Sequence, residues 1–247
     1  MARVYPKIPH LPGSRTGPSD RHVGLARARS LVSIARRDHR VVVEEKLDGS
    51  CVVVLRRGPE LLALGRDGRP ACLSRNLGRR LFALWVSEQR ARFLSLLQAG
   101  EQASGEWLAL AHGTRYSLPH EPFVLFDLGE GASRLGRGAL HRRAAASGFT
   151  VPCILHEGGA LGTEDAYRLL GLRGRHGAEE AAEGVVYREE HLGTLAPTFV
   201  AKHVRSGKSD GCYLADHTGL PHVWNAWPGS EPWLSMARRR CALEESS

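Results

Sequence analysis

Long hydrophobic runs are missing from this sequence. None approaches the ~20 consecutive apolar residues that a bilayer-spanning helix needs, so no membrane partner is expected. The first residues carry Arg3, Lys7 and several prolines but no apolar core, which argues against a secretory signal. Cysteine is sparse. Cys51, Cys72, Cys153, Cys212 and Cys241 are scattered, odd in number and never spaced Cys-x-x-Cys. That usage fits a reduced, cytoplasmic setting rather than a disulfide framework. Internal repeats, heptads and low-complexity tracts are also missing, so nothing points to a solenoid or a coiled coil.

What is present is an ordinary globular composition, 42% hydrophobic and 24% charged. The 247 residues suffice for one large domain or two small ones. The formal net charge is +8. A basic balance favours partners rich in phosphate, nucleic acid above all.

Residues 1–22 are rich in Pro, Gly, Ser and Arg and read as an ordered or semi-ordered arm. A short basic helix is predicted over 24–37. Strands are predicted at 41–46, 51–56 and 60–65, with turns at Gly49 and Gly58-Pro59. Leu77, Leu81, Leu84, Trp85, Phe93, Leu96 and Leu97 are spaced as one face of a long helix ending at Gly100, with Trp85 and Phe93 in the core. Further strands are predicted at 104–110, 122–128, 184–188 and 198–204, and a helix over 138–147. Thr163 reads as the N-cap of a helix to about residue 171, with Glu164 and Asp165 in its first turn. After about residue 210, Trp224, Trp227 and Trp233 lie among Pro and Gly. They are expected to pack on the domain rather than to stack on bases.

Lys46-Leu47-Asp48-Gly49 lies between two β-branched runs, Val41-Val42-Val43 and Val52-Val53-Val54. A lysine is thereby held at a strand end, beside a glycine where the backbone approaches closely. Such an amine suits attack on a phosphate, although a lone lysine at a tight turn is more often merely solvated. The order of the segments downstream changes that balance. Arg66-Asp67-Gly68, Gly105-Glu106-Trp107, Phe123-Val124-Leu125-Phe126-Asp127, Glu183-Gly184-Val185-Val186-Tyr187 and Phe199-Val200-Ala201-Lys202 come next. Together they supply a nucleophile, carboxylates, a stacking ring and cations. That is the inventory for handling a nucleoside triphosphate with a divalent metal.

In this order the segments resemble the covalent nucleotidyltransferase superfamily of ATP-dependent DNA ligases, RNA ligases and mRNA capping enzymes. Within it, the chain is most similar to bacterial RNA ligase-like proteins. Gly105-Glu106-Trp107-Leu108-Ala109 followed by Ala111-His112-Gly113-Thr114-Arg115-Tyr116 is similar to a segment typical of RNA ligase domains. So are the opening Tyr5-Pro6-Lys7-Ile8-Pro9-His10-Leu11-Pro12-Gly13-Ser14 and the stretch Lys202-His203-Val204-Arg205. The resemblance runs from residue 5 to residue 205. It implies an α+β fold in which two antiparallel sheets, flanked by helices, hold ATP in the cleft between them. The expected organisation is an N-terminal arm over 1–22, a nucleotidyltransferase domain over 23–210 and a packed tail over 211–247.

The resemblance also implies chemistry. Lys46 would attack the α-phosphorus of ATP, release pyrophosphate and carry AMP as a phosphoramidate. AMP would pass to a 5′-phosphorylated nucleic-acid end, RNA in the first place, for sealing by a 3′-hydroxyl, as in RNA repair. A free lysine titrates near ~10.4, so the nearby cations Lys202, Arg66 and a bound Mg²⁺ or Mn²⁺ are expected to lower Lys46. Phe126 would stack on adenine, and Glu106 would hold the ribose hydroxyls. Glu183 would take the metal, with Asp48 orienting Lys46 or meeting metal-bound water. Lys202 would contact the α-phosphate and Arg66 the ribose or phosphate, while Glu45 would offer backbone atoms to adenine.

Two positions depart from the pattern. Cys51 stands where DNA ligases and capping enzymes often carry arginine, which favours the RNA ligase type. Val200 stands where the last segment often has a further cation, for which Lys208 or Arg205 would have to compensate. About 40 residues come after position 205, too few for the five-stranded oligonucleotide-binding barrel that such enzymes often append. Strand binding would then fall to the arm, the basic surface or a separate protein. Arg205-Ser206-Gly207-Lys208-Ser209 looks like the end of a P-loop, but the required earlier glycine would be Lys202. Cys212, His217 and His222 match no familiar zinc spacing. The remaining alternatives are a DNA-end adenylyltransferase or DNA ligase, and a catalytically impaired basic nucleic-acid-binding protein.

Overall fold

The computed structural model describes residues 4–245, and the side chains of residues 4–239. In chain order the elements are α1 (Leu25–Val32), β1 (His39–Lys46), β2 (Ser50–Arg57), β3 (Glu60–Gly65), α2 (Leu77–Glu88), α3 (Arg90–Leu96), β4 (Gln102–Trp107) and β5 (Phe123–Glu130). They continue with β6 (Ser133–Arg134), α4 (Arg137–Ala146), β7 (Ile154–Gly158), α5 (Thr163–Leu170), β8 (Gly184–His191), β9 (Pro197–Val204), α6 (Ala215–Thr218) and α7 (Glu231–Glu245). Two sheets form, in the orders β7-β1-β8-β9 and β3-β2-β4-β5-β6. Every paired strand in them is antiparallel. Among the described residues no helix is long and apolar enough to cross a membrane.

Alternation along the strands divides the residues between two cores and a cleft. On β1, Val41 and Val43 face outward with Val185, Tyr187 and Ala201, against Leu31 of α1 and Ala166 and Leu170 of α5. On β2, Val52 and Val54 face Phe82, Trp85 and Phe93 of α2 and α3, with Phe123 and Phe149 completing an aromatic core. Edge and tilted contacts at 4.7–6.5 Å connect those rings, the arrangement their quadrupoles favour. The opposite strand faces look at one another across the cleft.

The long helix read over 77–97 is two helices. It breaks at Gln89, whose backbone (φ −90°, ψ 16°) leaves the helical region while its N–H still reaches Trp85 O. The break lets Phe93 meet Phe149 at 4.7 Å and Trp85 at 5.9 Å, a packing gain that side-chain period alone does not reveal. Thr163 is the first helical residue of α5, and Gly162 holds the cap position without a side-chain hydrogen bond. The basic helix α1 stops at Val32, short of residue 37. β7 and the tail helix α7 had no sequence signal strong enough to read.

Residues Pro9–Leu11 pair with β9, since Lys202 N donates to Pro9 O (3.0 Å) and Leu11 N to Lys202 O (2.8 Å). In the tail after residue 210, Trp224, Trp227 and Trp233 pack against the aromatic core, and Trp233 lies 6.0 Å from Trp107. Asn225 buries its amide between Tyr116 N (2.8 Å) and Leu108 O (2.6 Å).

Gly105 marks how closely β4 and β5 fit. A Cβ there would lie within 3.0 Å of both the Phe123 ring and Val124 O. Gly105→Ala is expected to lower stability by about 1–3 kcal/mol through overpacking. Urea unfolding measures this, and an unchanged midpoint would mean that the strands can separate freely.

Candidate active site in the cleft between the sheets

A cavity of about 340 Å³ lies between the sheets. Lys46, Arg66, Glu106, Phe126 and Lys202 line it, together with Tyr5, Val186 and Arg188. These positions lie far apart in the chain, and strand alternation brings them to one place. Glu44 and Lys46 share the inner face of β1, and Val186 and Arg188 the inner face of β8. Lys202 lies directly opposite Val186 in the β8–β9 register.

Lys46 ends β1 with its ammonium 2.6 Å from Glu183 and 3.2 Å from its neighbour's carbonyl at Leu47. Burial acts to lower its pKa, but the Glu183, Glu106 and Asp48 carboxylates outweigh burial and raise it above the ordinary value. This corrects the expectation that surrounding cations depress it. Glu183 and Glu106 are each pushed up to about 7, burial first and then carboxylate neighbours overcoming the attraction of Lys46. An isolated ion pair would raise the amine and lower the acid. Here both partners rise, because three carboxylates crowd one half-buried amine. Lys202 moves down, through burial and the nearness of Lys46.

Phe126 owes its place to a β-bulge. Ser104 pairs with Asp127 and Gly105 with Leu125, so Phe126 has no partner on β4. A bulge re-aims a side chain and frees its backbone from the ladder. The ring enters the cavity with Tyr5 edge-on at 5.2 Å. The freed carbonyl accepts from Arg137 Nη1 (2.9 Å) and Arg188 Nη2 (3.3 Å). Arg188 also binds Asp127 at 2.9 Å, and Asp127 accepts the Tyr5 hydroxyl. Tyr5, Asp127, Arg137 and Arg188 did not stand out as site residues in the sequence. The available signal was alternation, which puts Arg188 on the same face as Val186.

Glu106 Oε1 accepts from Gly49 N at 3.1 Å, which ties β4 to the turn after Lys46. Gly49 admits no side chain there, as a Cβ would press into the Trp107 carbonyl. Asp48 turns toward the 113–114 loop, where its Oδ2 accepts from Gly113 N (3.1 Å) and Thr114 Oγ1 (3.0 Å). Glu45 points away from Lys46, its Oε2 accepting from Arg175 N at 2.6 Å, so only its backbone borders the cavity usefully. Arg66 lines the cavity, and Tyr5 N donates to its carbonyl at 3.4 Å. Val200 lies opposite Arg188 in the β8–β9 register. Arg79, Ser50 and His112 complete the cavity's mouth, with Ser50 Oγ 3.2 Å from His112 Nε2.

Among the described residues no group of three or more His, Cys, Asp or Glu side chains is arranged to hold a metal by itself. Glu183 and Asp48 offer oxygen ligands, the donor type Mg²⁺ or Mn²⁺ takes. Such ions commonly bind through one or two carboxylates plus substrate phosphates and water. The donor set fits an ion that arrives with a nucleotide.

The loop that seats Glu45 is held by a chain of two histidines, His176 buried and His120 half-buried. Cys153 N donates to His176 Nε2 (3.2 Å), His176 Nδ1 meets His120 Nε2 (2.7 Å), and His120 Nδ1 meets Glu121 O (2.7 Å). Neutral rings, each protonated on Nδ1, satisfy every link. Burial, then the neighbouring His120, lowers His176 to about 3, and burial, then Lys202, lowers His10 to about 4. Below the ordinary histidine value of 6.5 the unfolded chain binds protons that these two rings refuse in the native state, so their contribution to stability falls as pH drops, while Glu45, Glu106 and Glu183, each pushed up to about 7 by burial, act in the opposite direction. Each group contributes at most about 1.4 kcal/mol per pH unit in that window. Urea midpoints from about pH 7.5 to about pH 5 test this. The stability of the wild type relative to His176→Gln should fall as pH is lowered through this window, and a pH-independent difference would refute it.

A family model described as RNA ligase matches residues 39–204, the span from β1 to the end of β9. No curated protein matches the chain. Among solved structures, the Naegleria gruberi RNA ligase with PPi is 21% identical, with 74% of this chain covered, 53% of that one and a TM-score of 0.50. An archaeal ATP-dependent RNA ligase is also 21% identical, with 83% of this chain covered, 49% of that one and a TM-score of 0.50. Both likenesses are of fold, and this chain spans about half the length of those proteins.

Proposed function

The chain belongs to the RNA ligase family, and from that premise we propose that it is an ATP-dependent nucleotidyltransferase that seals nucleic-acid ends through a lysyl–AMP intermediate. The observation that carries the reading is Lys46. It is a half-buried amine at the end of β1, in a cavity that also holds Phe126, Glu106, Arg66 and Lys202. Lys46 Nζ would attack the α-phosphorus of ATP, forming the N–P bond as the bond to pyrophosphate breaks. A 5′-phosphate oxygen on the strand then displaces Lys46 and takes AMP. A 3′-hydroxyl finally attacks that 5′-phosphorus, releases AMP and closes the phosphodiester. RNA is the proposed substrate and the cytoplasm the proposed compartment.

The residues divide this work. Phe126, on its bulge, offers a ring face for adenine, with Val186 on the other sheet. Glu106, whose Oε1 accepts from Gly49 N, would also accept from ribose hydroxyls. Lys202 and Arg66 supply charge for the phosphates and for the crowded phosphorus of the transition state. Glu183 and Asp48 would hold the divalent ion. Once bound, that ion screens the phosphates and offsets the carboxylates' grip on Lys46. The resting Lys46–Glu183 pair is a held state, since a protonated amine is no nucleophile. Loss of the Lys46 proton would follow the entry of the nucleotide and its ion, whose positive charge would lower the amine while Glu183 turns to the metal.

The pairing has two testable consequences. Lys46→Arg keeps the positive charge beside Glu183 but removes the nucleophile. After incubation with labelled ATP and Mg²⁺ it should carry no acid-labile label that survives denaturation, while the wild type does. Equal labelling would discard Lys46. Glu183→Gln removes the largest influence raising Lys46, so the rising limb of labelling against pH should move down by about one unit. The maximal rate should fall by about tenfold or more, because the metal loses a carboxylate. An unmoved pH limb would mean that the pair does not hold the nucleophile. Repeating the assay with each nucleoside triphosphate, and with 5′-phosphorylated RNA and DNA, tests the ATP and RNA assignments.

A further inference from the structure

A second cavity, of about 390 Å³, opens beside the end of β9. Tyr167, His203, Arg205, Ser206, Gly207 and Lys208 form most of its wall. It is joined to the catalytic cleft through backbone. Arg205 N donates to Glu183 O at 2.9 Å. Lys208 Nζ donates to Gly113 O at 2.8 Å, and Gly113 N in turn donates to Asp48. The wall of the cavity is thus bonded to the backbone of Glu183 and to the loop that holds Asp48.

Its charge is uncompensated. Lys208 is only 8% exposed, and its one bonded partner is a carbonyl. Arg205 donates to Ala182 O (3.0 Å) and Gly171 O (2.5 Å) and stacks on the Tyr167 ring at 4.5 Å. Carbonyls satisfy donors without cancelling charge. Among the described residues neither cation pairs with a carboxylate, and the nearby Asp210 is taken by Arg15 at 2.8 Å. His203 Nδ1 is engaged by the Tyr167 hydroxyl at 2.7 Å, which leaves Nε2 as a further hydrogen-bonding group. A buried cation without a counter-charge is costly unless an anion arrives to meet it. Arg205-Ser206-Gly207-Lys208-Ser209 fails as a P-loop, yet it brings two cations and an open glycine backbone to one wall.

We propose that this second cavity is a phosphate subsite serving the reaction in the neighbouring cleft. The assignment rests on the proposed function for its role, though not for its chemistry. The phosphate has two possible sources, a nucleic-acid strand or the pyrophosphate leaving group.

Gly207 allows a test without disturbing packing. A Cβ there meets nothing within 4 Å, and the backbone is outside the left-handed region. Gly207→Glu, Gly207→Gln and Gly207→Lys therefore vary charge at the cavity wall while leaving Arg205 and Lys208 in place. Binding of a 5′-phosphorylated single-stranded RNA is measured by fluorescence anisotropy, and inhibition of ATP labelling by sodium pyrophosphate is measured alongside. The expected result is a Kd about fivefold weaker for Glu than for Gln, and tighter for Lys. The Glu variant's slope of log Kd against log salt should be smaller by about 0.7. If the series shifts RNA binding alone, the source is a strand; if it shifts pyrophosphate inhibition alone, the source is the leaving group. Equal values across the three variants in both assays overturn the subsite. A wild type that takes no label from ATP, with RNA binding still shifting across the three variants, would overturn the proposed function and keep the subsite.

Discussion

Arg188 of β8 reaches Asp127 of β5 at 2.9 Å, and this ion pair joins the two sheets where hydrocarbon would otherwise have to. The inner faces of the sheets cannot pack together, because they must leave room for a ligand. They are therefore joined at the back of the cleft by charge. Glu44 meets both Arg137 and Arg188, and Arg188 is only 1% exposed. Desolvating such groups costs several kcal/mol each, so the cluster is tolerable only when nearly every charge has a partner. Tyr5 and Arg134 share Asp127, and Glu190 receives Arg137 N at 2.7 Å. The cluster then sets the geometry of the cavity. It captures the carbonyl released by the bulge at Phe126, so the sheet junction and the placement of the ring have one cause.

Much of this was legible in the sequence wherever period and chemistry coincide. Val41-Val42-Val43 and Val52-Val53-Val54 read as strands and are strands, with Lys46 at the end of the first. Gly184-Val185-Val186, with Glu183 just before them, and Phe199-Val200-Ala201-Lys202 likewise fall on β8 and β9, which pair side by side. What failed was local geometry decided by distant contacts. The break at Gln89 depends on Phe149, far along the chain. The bulge at Phe126 depends on guanidinium groups from α4 and β8. A single sequence carries the residues of such clusters but not their pairing.

The sign of the effect on Lys46 was illegible for the same reason. Reading cations from the charged residues alone suggested a lowered pKa. The fold instead puts Glu183 at 2.6 Å, while Lys202 and Arg66 stand further around the cavity. Proximity in a poorly screened site decides between opposing charges, because the energy rises as distance falls. The observed geometry is thus one in which the amine is stored rather than ready.

That storage gives order to the chemistry. A deprotonated amine in an empty cavity would meet water and stray electrophiles. A protonated one held by Glu183 would stay inert until positive charge entered, as the proposed nucleotide and its ion would bring. The arm contributes to the same control. Pro9–Leu11 extend the sheet beyond β9 through the backbone of Lys202, while Tyr5 reaches across to Phe126 and Asp127 on the other sheet. One segment therefore touches the strand that carries Lys202 and the strand that carries Phe126. Any change in sheet separation on ligand entry must pass through it. This coupling arises because the arm pairs with a strand edge on one side and packs an aromatic ring on the other.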